Sequence, residues 1–200
     1  MLKIGVTGGI GTGKSTVCKI FETLGVPVFY ADDESKKILL QDEQVHSELR
    51  NLYGEEIFFE GIPDRKKIAS IVFSDRKKLE QLNAILHPAV IRKSEEWFQT
   101  QKGIAYAIKE AALIFEIGGE KLLDKVIVVS APEDVCIARI VKRDGISEQE
   151  VKSRIKNQMP QSSKEELADF IIRNDDTQLL IPQVTKIHHE ILQLEESTSS

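Results

Sequence analysis

Residues 8–16 read Gly-Gly-Ile-Gly-Thr-Gly-Lys-Ser-Thr, and they fit G-x-x-x-x-G-K-[ST] at every fixed position. No other stretch constrains the fold as strongly. Upstream lies the short apolar run LKIGVT (2–7); downstream, Val17, Ile20, Phe21 and Leu24 recur at helical spacing. The chain is therefore expected to run from a buried strand through a glycine turn straight into a helix. Glycines let successive backbone N–H groups turn inward around an anion, and the helix start adds partial positive charge. A flexible glycine-rich turn is the bland alternative, but it has no need of lysine and serine at fixed spacing. The N–H groups of Gly9, Ile10, Gly11, Thr12, Gly13, Lys14, Ser15 and Thr16 are expected to cradle the phosphates of a nucleoside triphosphate. Lys14 reaches the β- and γ-phosphates, and the Ser15 hydroxyl completes the shell of a Mg²⁺ ion.

The rhythm of the remaining chain points to a mostly parallel α/β sheet. PVFYAD (27–32) supplies a second strand, so strand, loop, helix and strand fill about 30 residues as a βαβ unit. Further strands are expected at IAYAIKEAA (104–112), KVIVVSA (125–131) and DFIIRN (169–174). The first two of these are near-continuous apolar runs, as in strands covered on both faces. Helices are expected at 133–143, 178–194 and, short, at 111–118. Residues 33–102 break the rhythm: they show no convincing strand, but three helical stretches, RKKIASIVF, RKKLEQLNAIL and PAVIRKSEEWF. Proline at the start of the last makes His87 a natural cap position. A second, polar interruption spans 145–167, where Ser147 with Glu150 and Ser163 with Glu166 both read as capping boxes. The tail 195–200 is expected to fray.

Composition excludes several classes. Among 200 residues, 27 basic against 32 acidic side chains give a net charge of −5, unlike a general nucleic-acid binder. No apolar run approaches a membrane span, and no leader precedes the first strand. Cys18 and Cys136 stand far apart inside helical patterns, so buried thiols in a reducing, cytoplasmic setting are expected. An N/T-K-x-D guanine-reading motif is absent, and IAYAIKEAA ends in Lys109-Glu110, not in the Asp-Glu of a motor ATPase. A helical insertion after strand two and an arginine-bearing polar segment after strand four fit a small-molecule kinase, the insertion holding the acceptor and the polar segment closing as a lid. A kinase for a nucleoside or a sugar, and a nucleotide-dependent switch, are the rival readings.

Taken together, GVTGGIGTGKSTV, YADD, DRKKIASIVF, LEQLNAILHP, EAALIFE, VIVVSAPEDVCIARIVKRDG and RIKNQMP…ADFIIRN resemble dephospho-CoA kinases, in the same order and from Leu2 to about Asn174. The resemblance implies a P-loop fold of the nucleoside-monophosphate-kinase kind: a five-stranded parallel sheet flanked by helices. It implies a nucleotide-binding core at 1–32, 103–144 and 168–194, a helical acceptor domain at 33–102 and a lid at 145–167. The implied reaction moves the γ-phosphate of ATP, with Mg²⁺, to the ribose 3′-hydroxyl of dephospho-CoA in the cytoplasm, with no nucleic-acid or membrane partner. Oligomeric state is not readable.

Roles follow by position. Asp32 matches the second aspartate of the family's D-A-D, which orients or deprotonates the acceptor hydroxyl; here Tyr30 replaces the first. A helix cap is the other use of Asp32. Thr7, Arg65 and His87 match acceptor-side positions; strand end, solvated charge and helix cap are their respective alternatives. Glu110 to Glu116 resembles the family's PLLFE, with Ala112 for proline and Ile114 for a leucine, so Leu113, Phe115 and Glu116 are expected at the acceptor wall. Glu110 is a candidate to hold Mg²⁺ through water. Arg139 matches a lid arginine suited to the charge spreading over the transferred phosphoryl group. Arg143 shares its helical face, and for Arg143 and Arg154 an exposed basic face is the alternative. Asn174 follows the last strand, where such kinases approach adenine; a turn asparagine is the alternative.

Overall fold

The computed structural model describes residues 1–73 and 75–199. Its contacts divide the chain into two compact units, Met1–Phe29 with the residues from Gln101 onward, and Tyr30–Thr100.

The first unit is built on β1 (Leu2–Thr7), β5 (Tyr106–Glu110), β6 (Lys125–Ser130) and β7 (Phe170–Arg173), and β2 (Val28–Tyr30) completes a five-stranded sheet in the order β2-β5-β1-β6-β7. The ladders β1–β5, β1–β6 and β6–β7 are parallel. Strands covered on both faces must be apolar throughout, and Ile4, Val6, Ala107, Ile108, Ile127, Val128 and Val129 are completely buried. The chain reverses its direction of travel across the sheet at β1, so the crevice outside the carboxyl end of β1 is the place where such a sheet binds ligands.

Helix α1 (Lys14–Thr23) leaves that end. It stops through paired bonds from Gly25 N to Glu22 O and Val26 N to Phe21 O. On the other side of the chain α6 (Glu133–Asp144) and α7 (Glu148–Lys156) pack through Ile137, Ile140 and Val151. Ser147 and Glu150 form the capping box expected of them at the start of α7. The expected second box is not formed: α8 (Gln161–Glu166) begins after Pro160 and has Ser163 in its interior.

Residues 111–118 form turns, not the expected short helix, with a single 3₁₀ segment at Gly119–Leu122. The physical reason is visible at Ala112, whose carbonyl accepts from the Thr7 hydroxyl and the Lys164 ammonium instead of from a following helical turn. The last helix, α9 (Leu180–Ser199), is longer than expected and takes in most of the tail that was expected to fray. Glu195 accepts a bond from the N-terminal ammonium of Met1 at 3.3 Å and holds that end. Ser200 lies outside the described residues.

The second unit contains α2 (Ala31–Gln41), α3 (Glu43–Tyr53), the two-residue ladder β3–β4 (Phe58–Phe59 with Ile62–Pro63), α4 (Arg65–Phe73) and α5 (Arg76–Thr100). The ladder was not expected; Glu60 and Gly61, both at positive φ, make its tight turn. Two helices expected around His87-Pro88 are one helix of 25 residues with Pro88 inside it. Proline removes one backbone donor and crowds the preceding turn. Leu82, Leu86, Ala89, Val90 and Phe98 are buried on both sides of it, and α5 packs on α2, α3 and α4, which holds the helix continuous.

Burial lowers the pKa of His87 below its ordinary value of 6.5. Burial, and then the neighbouring His189, does the same for His188, whose Nδ1 meets the Tyr106 hydroxyl at 2.6 Å. A depressed histidine binds its proton more readily in the unfolded chain, so this stability is complete above 6.5 and is lost as pH falls through that value toward the folded pKa. The melting temperature is expected to fall as pH drops from about 7 to about 5, and His188→Asn is expected to flatten that slope in thermal melts.

Candidate active site

The glycine loop is held in shape by its own lysine and by side chains from four distant positions. Thr12, almost wholly buried, donates from its hydroxyl to Gly9 O at 2.9 Å. Lys14 Nζ donates to Gly8 O at 3.1 Å and to Gly9 O at 3.2 Å. Asn174, just past β7, donates to Thr12 O at 2.8 Å. Arg139 from α6 donates to Gly11 O at 3.5 Å, to Asn174 Oδ1 at 3.3 Å and to Asp176 Oδ1 at 2.6 Å. Two further side chains take up amides: Gln161 Oε1 accepts from Gly9 N at 3.1 Å, and Gln158 Oε1 from Ile10 N at 2.9 Å.

Close packing dictates two of the glycines. A Cβ on Gly11 would stand 2.7 Å from Cys136 O, and one on Gly13 would stand 2.2 Å from Asn174 Nδ2. Both also have positive φ, 83° and 91°, which side chains resist. Gly13 caps α1, so the first N–H groups of that helix open toward the loop. Two cations, Lys14 and Arg139, thus border a ring of backbone donors at a helix start, an arrangement made for a polyphosphate. A cavity of about 330 Å³ adjoins it, lined among others by Gly9, Ile10, Thr12, Cys136, Ile155 and Gln158.

Of the site residues expected from sequence, the first unit gathers Lys14, Arg139 and Asn174 directly around the loop. Ser15 and Thr16 are exposed in the first turn of α1. Thr7 is fully buried, and its hydroxyl donates to Ala112 O at 3.3 Å. Phe115 is buried and Leu113 half-buried. Glu116 Oε1 forms an ion pair with Lys164 Nζ at 2.8 Å and accepts from Met159 N at 3.0 Å. Glu110, at the carboxyl end of β5, is buried. Arg143 is exposed and turns its guanidinium onto Asp144, whose carboxylate raises the arginine's pKa. Arg154 lies 4.0 Å from Asp144 as well. Burial, then Glu110 and Glu22, push the Cys18 thiol upward. Burial does the same for Cys136. Neither is therefore a ready nucleophile.

In the second unit Asp32 is exposed in the first turn of α2, two residues after its cap, Tyr30. Its carboxylate suits a helix start without being the cap itself. Arg65 opens α4 and is exposed, and Asp64 caps that helix through Lys66 N and Lys67 N. His87 is half-buried inside α5, so the expected cap position is corrected by the continuous helix.

Gln158, Gln161, Lys164 and Asp176 were missed by sequence reasoning. Glutamines in a polar segment carry no chemical signature, and Lys164 looks like any solvated charge in SSKEEL. One signal was available for three of them: RIKNQMP contains Gln158, and RIKNQMP and ADFIIRN, both part of the pattern that the chain shares with dephospho-CoA kinases, bracket Gln161 and Lys164.

A family model described as dephospho-CoA kinase matches residues 2–179. The chain belongs to the dephospho-CoA kinase family. A dephospho-CoA kinase of Bacteroides fragilis is 37% identical over 186 residues, covering 93% of this chain and 91% of that one. The solved dephospho-CoA kinase from Campylobacter jejuni superposes with a TM-score of 0.70 at 29% identity, covering 96% of this chain and 97% of the other. A Thermus thermophilus protein of solved structure gives 0.82 at 32% identity, with 94% and 96% covered. Like other members of this kinase family, the chain is a phosphotransferase on a P-loop scaffold.

The loop geometry makes a direct prediction. Asn174→Ala removes the donor to Thr12 O and the acceptor for Arg139, and is expected to weaken ATP binding by about tenfold, one to two lost hydrogen bonds. Gly13→Ala, which forces a clash as well as strain, is expected to abolish binding while the fold persists. Titration calorimetry with ATP and circular dichroism check both.

Proposed function

We propose that this chain transfers the γ-phosphoryl group of ATP to the ribose 3′-hydroxyl of dephospho-CoA, giving coenzyme A and ADP. The observation that carries the reading is the convergence of Lys14, Arg139 and Asn174 on the glycine loop at the end of β1, in a chain of this family.

The backbone donors from Gly9 to Thr16 hold the phosphates of ATP, those of Gly9 and Ile10 exchanging Gln161 and Gln158 for phosphate oxygens as the nucleotide enters. Lys14 follows the β- and γ-phosphates, and Arg139 neutralises charge that spreads over the equatorial oxygens in a loose transition state. Asn174 and Arg143 complete the nucleotide side. A Mg²⁺ ion fits the donors available, which are hard oxygens: the Ser15 hydroxyl and, through water, the Glu110 carboxylate. Among the described residues no group of three or more His, Cys, Asp or Glu forms a cage of its own. That suits an ion held mainly by phosphates and water. When bound, Mg²⁺ supplies charge neutralisation at the phosphate oxygens.

On the acceptor side, Asp32 takes the proton of the 3′-hydroxyl. The new O3′–Pγ bond forms as the bond from Pγ to the bridging β–γ oxygen breaks, ADP carries that oxygen away, and Asp32 passes its proton to water. Tyr30–Thr100 is read as the acceptor domain, with Arg65 meeting an acceptor phosphate and His87 contributing to its pocket. Leu113, Phe115 and Glu116 form an apolar wall with a polar end. Thr7 acts through Ala112, whose carbonyl it holds. Residues 145–167 serve as the lid that excludes water from the reacting phosphate. Two buried free thiols suit a cytoplasmic enzyme. No helix among the described residues is long and apolar enough to cross a membrane.

Asp32→Asn is expected to lower kcat by about 10²–10⁴ while ATP affinity stays near normal, measured by ADP release with dephospho-CoA as acceptor. An ATP affinity that collapses instead assigns Asp32 to the metal or to the fold. Lys14→Ala is expected to lose both turnover and phosphate binding. Faster turnover of a nucleoside or a sugar than of dephospho-CoA overturns the acceptor assignment.

A further inference from the structure

Helix α8 is only six residues long, yet three of its side chains reach the carboxyl ends of the sheet. Gln161, Lys164 and Glu165 are spaced to share one face. Gln161 accepts from Gly9 N of the donor loop and donates to Val129 O at 3.3 Å. Glu165 is hydrogen-bonded by the Ser130 hydroxyl and lies 3.8 Å from Arg173. Lys164 points to the other side of β1. It is completely buried, and its ammonium bonds Ala112 O at 3.0 Å and Glu116 Oε1 at 2.8 Å.

An ammonium is costly to bury and persists only where its partners are fixed. Here each partner belongs to the 111–116 turn. Ala112 O is shared with Thr7, the last residue of β1 before the loop. Glu116 Oε1 also takes Met159 N, two residues before α8 begins. The Oε2 oxygen of Glu116 is buried without a hydrogen-bond partner among the described residues, so the Lys164 bond is the charge compensation the structure gives this carboxylate.

We propose that Lys164 is a positioning residue of the phosphoryl-transfer site. It locks the 111–116 turn in place through Ala112 and Glu116, while Gln161, one turn earlier on the same helix, locks the donor loop through Gly9. One short helix thus sets the register of the acceptor wall against the phosphate-binding loop. This inference rests on reading the 111–116 turn as acceptor wall, and it assigns the two residues opposite kinetic signatures.

The test compares Lys164→Met, Glu116→Gln, the double variant Lys164→Met/Glu116→Gln, and Gln161→Ala. Each is assayed for melting temperature, kcat, the KM of the acceptor and ATP affinity, with whichever acceptor the wild type phosphorylates best. Lys164→Met strands a buried carboxylate and is expected to melt well below the wild type. The double variant removes both charges but keeps an acceptor for Met159 N, and is expected to regain the melting temperature. Its acceptor KM is expected to stay about tenfold or more above that of Glu116→Gln alone, so that the rise reports Lys164 and not the altered wall residue, with ATP affinity within about threefold of wild type. Gln161→Ala is expected to show the reverse split, ATP affinity down by about tenfold and acceptor KM little changed. A double variant that recovers melting temperature and matches Glu116→Gln in acceptor KM makes the pair purely structural and overturns the proposal. So does a common shift of one parameter in both the Lys164 and Gln161 variants. Because the split is read on the acceptor the wild type uses, a wild type that ignores dephospho-CoA overturns the substrate assignment alone.

Discussion

Everything in the site depends on keeping a glycine loop in one conformation. Glycine gives up more conformational freedom on ordering than any other residue, and residues 8–13 contain four of them. The compensation is hydrogen bonding from outside the loop: Asn174 to Thr12 O, Arg139 to Gly11 O, Gln161 to Gly9 N and Gln158 to Ile10 N. Each such bond contributes on the order of 1 kcal/mol net, comparable to the cost of fixing one residue's backbone. The bonds from Asn174 and Arg139 fix loop carbonyls and leave amides free for phosphate, whereas the Gly9 and Ile10 amides are held by Gln161 and Gln158 and must exchange those partners for phosphate oxygens.

The sheet makes those ties possible. Because β1 lies between β5 and β6, its carboxyl end stands beside both of theirs. Residues that follow different strands therefore meet there: Ala112 after β5, Glu165 at Ser130 of β6, and Asn174 after β7. Asn174 N bonds Ser130 O at 2.7 Å, so the asparagine is fixed by the end of the ladder before its side chain reaches the loop. Distant parts of the chain thus meet at the phosphate site through strand order alone.

How much of this was legible depends on the kind of signal. The loop declared itself because its chemistry needs particular residues at particular spacings, and the buried strands because parallel strands must be apolar throughout. Arg139 was singled out through the family pattern, whereas Asn174 was expected near adenine and only the fold shows its side chain on Thr12 O of the loop. The acceptor side was less so. The Pro88 signal favoured a helix start, but side chains buried on both sides keep α5 continuous, a tertiary effect that local sequence does not carry. Residues 111–118 have helical composition, yet the carbonyl of Ala112 is claimed by Thr7 and Lys164. Lys164 itself is a charge in a polar segment, and only the fold shows that it is buried.

A loop built in this way is expected to deliver its phosphate to one hydroxyl of one acceptor. Incubation of the protein with Mg-ATP and dephospho-CoA, followed by phosphorus NMR of the purified product, tests it most directly. A single new monoester on the ribose 3′-oxygen is expected, formed in equal amount to ADP. No monoester, a 2′-phosphate, or ADP released without any phosphorylated acceptor would contradict it.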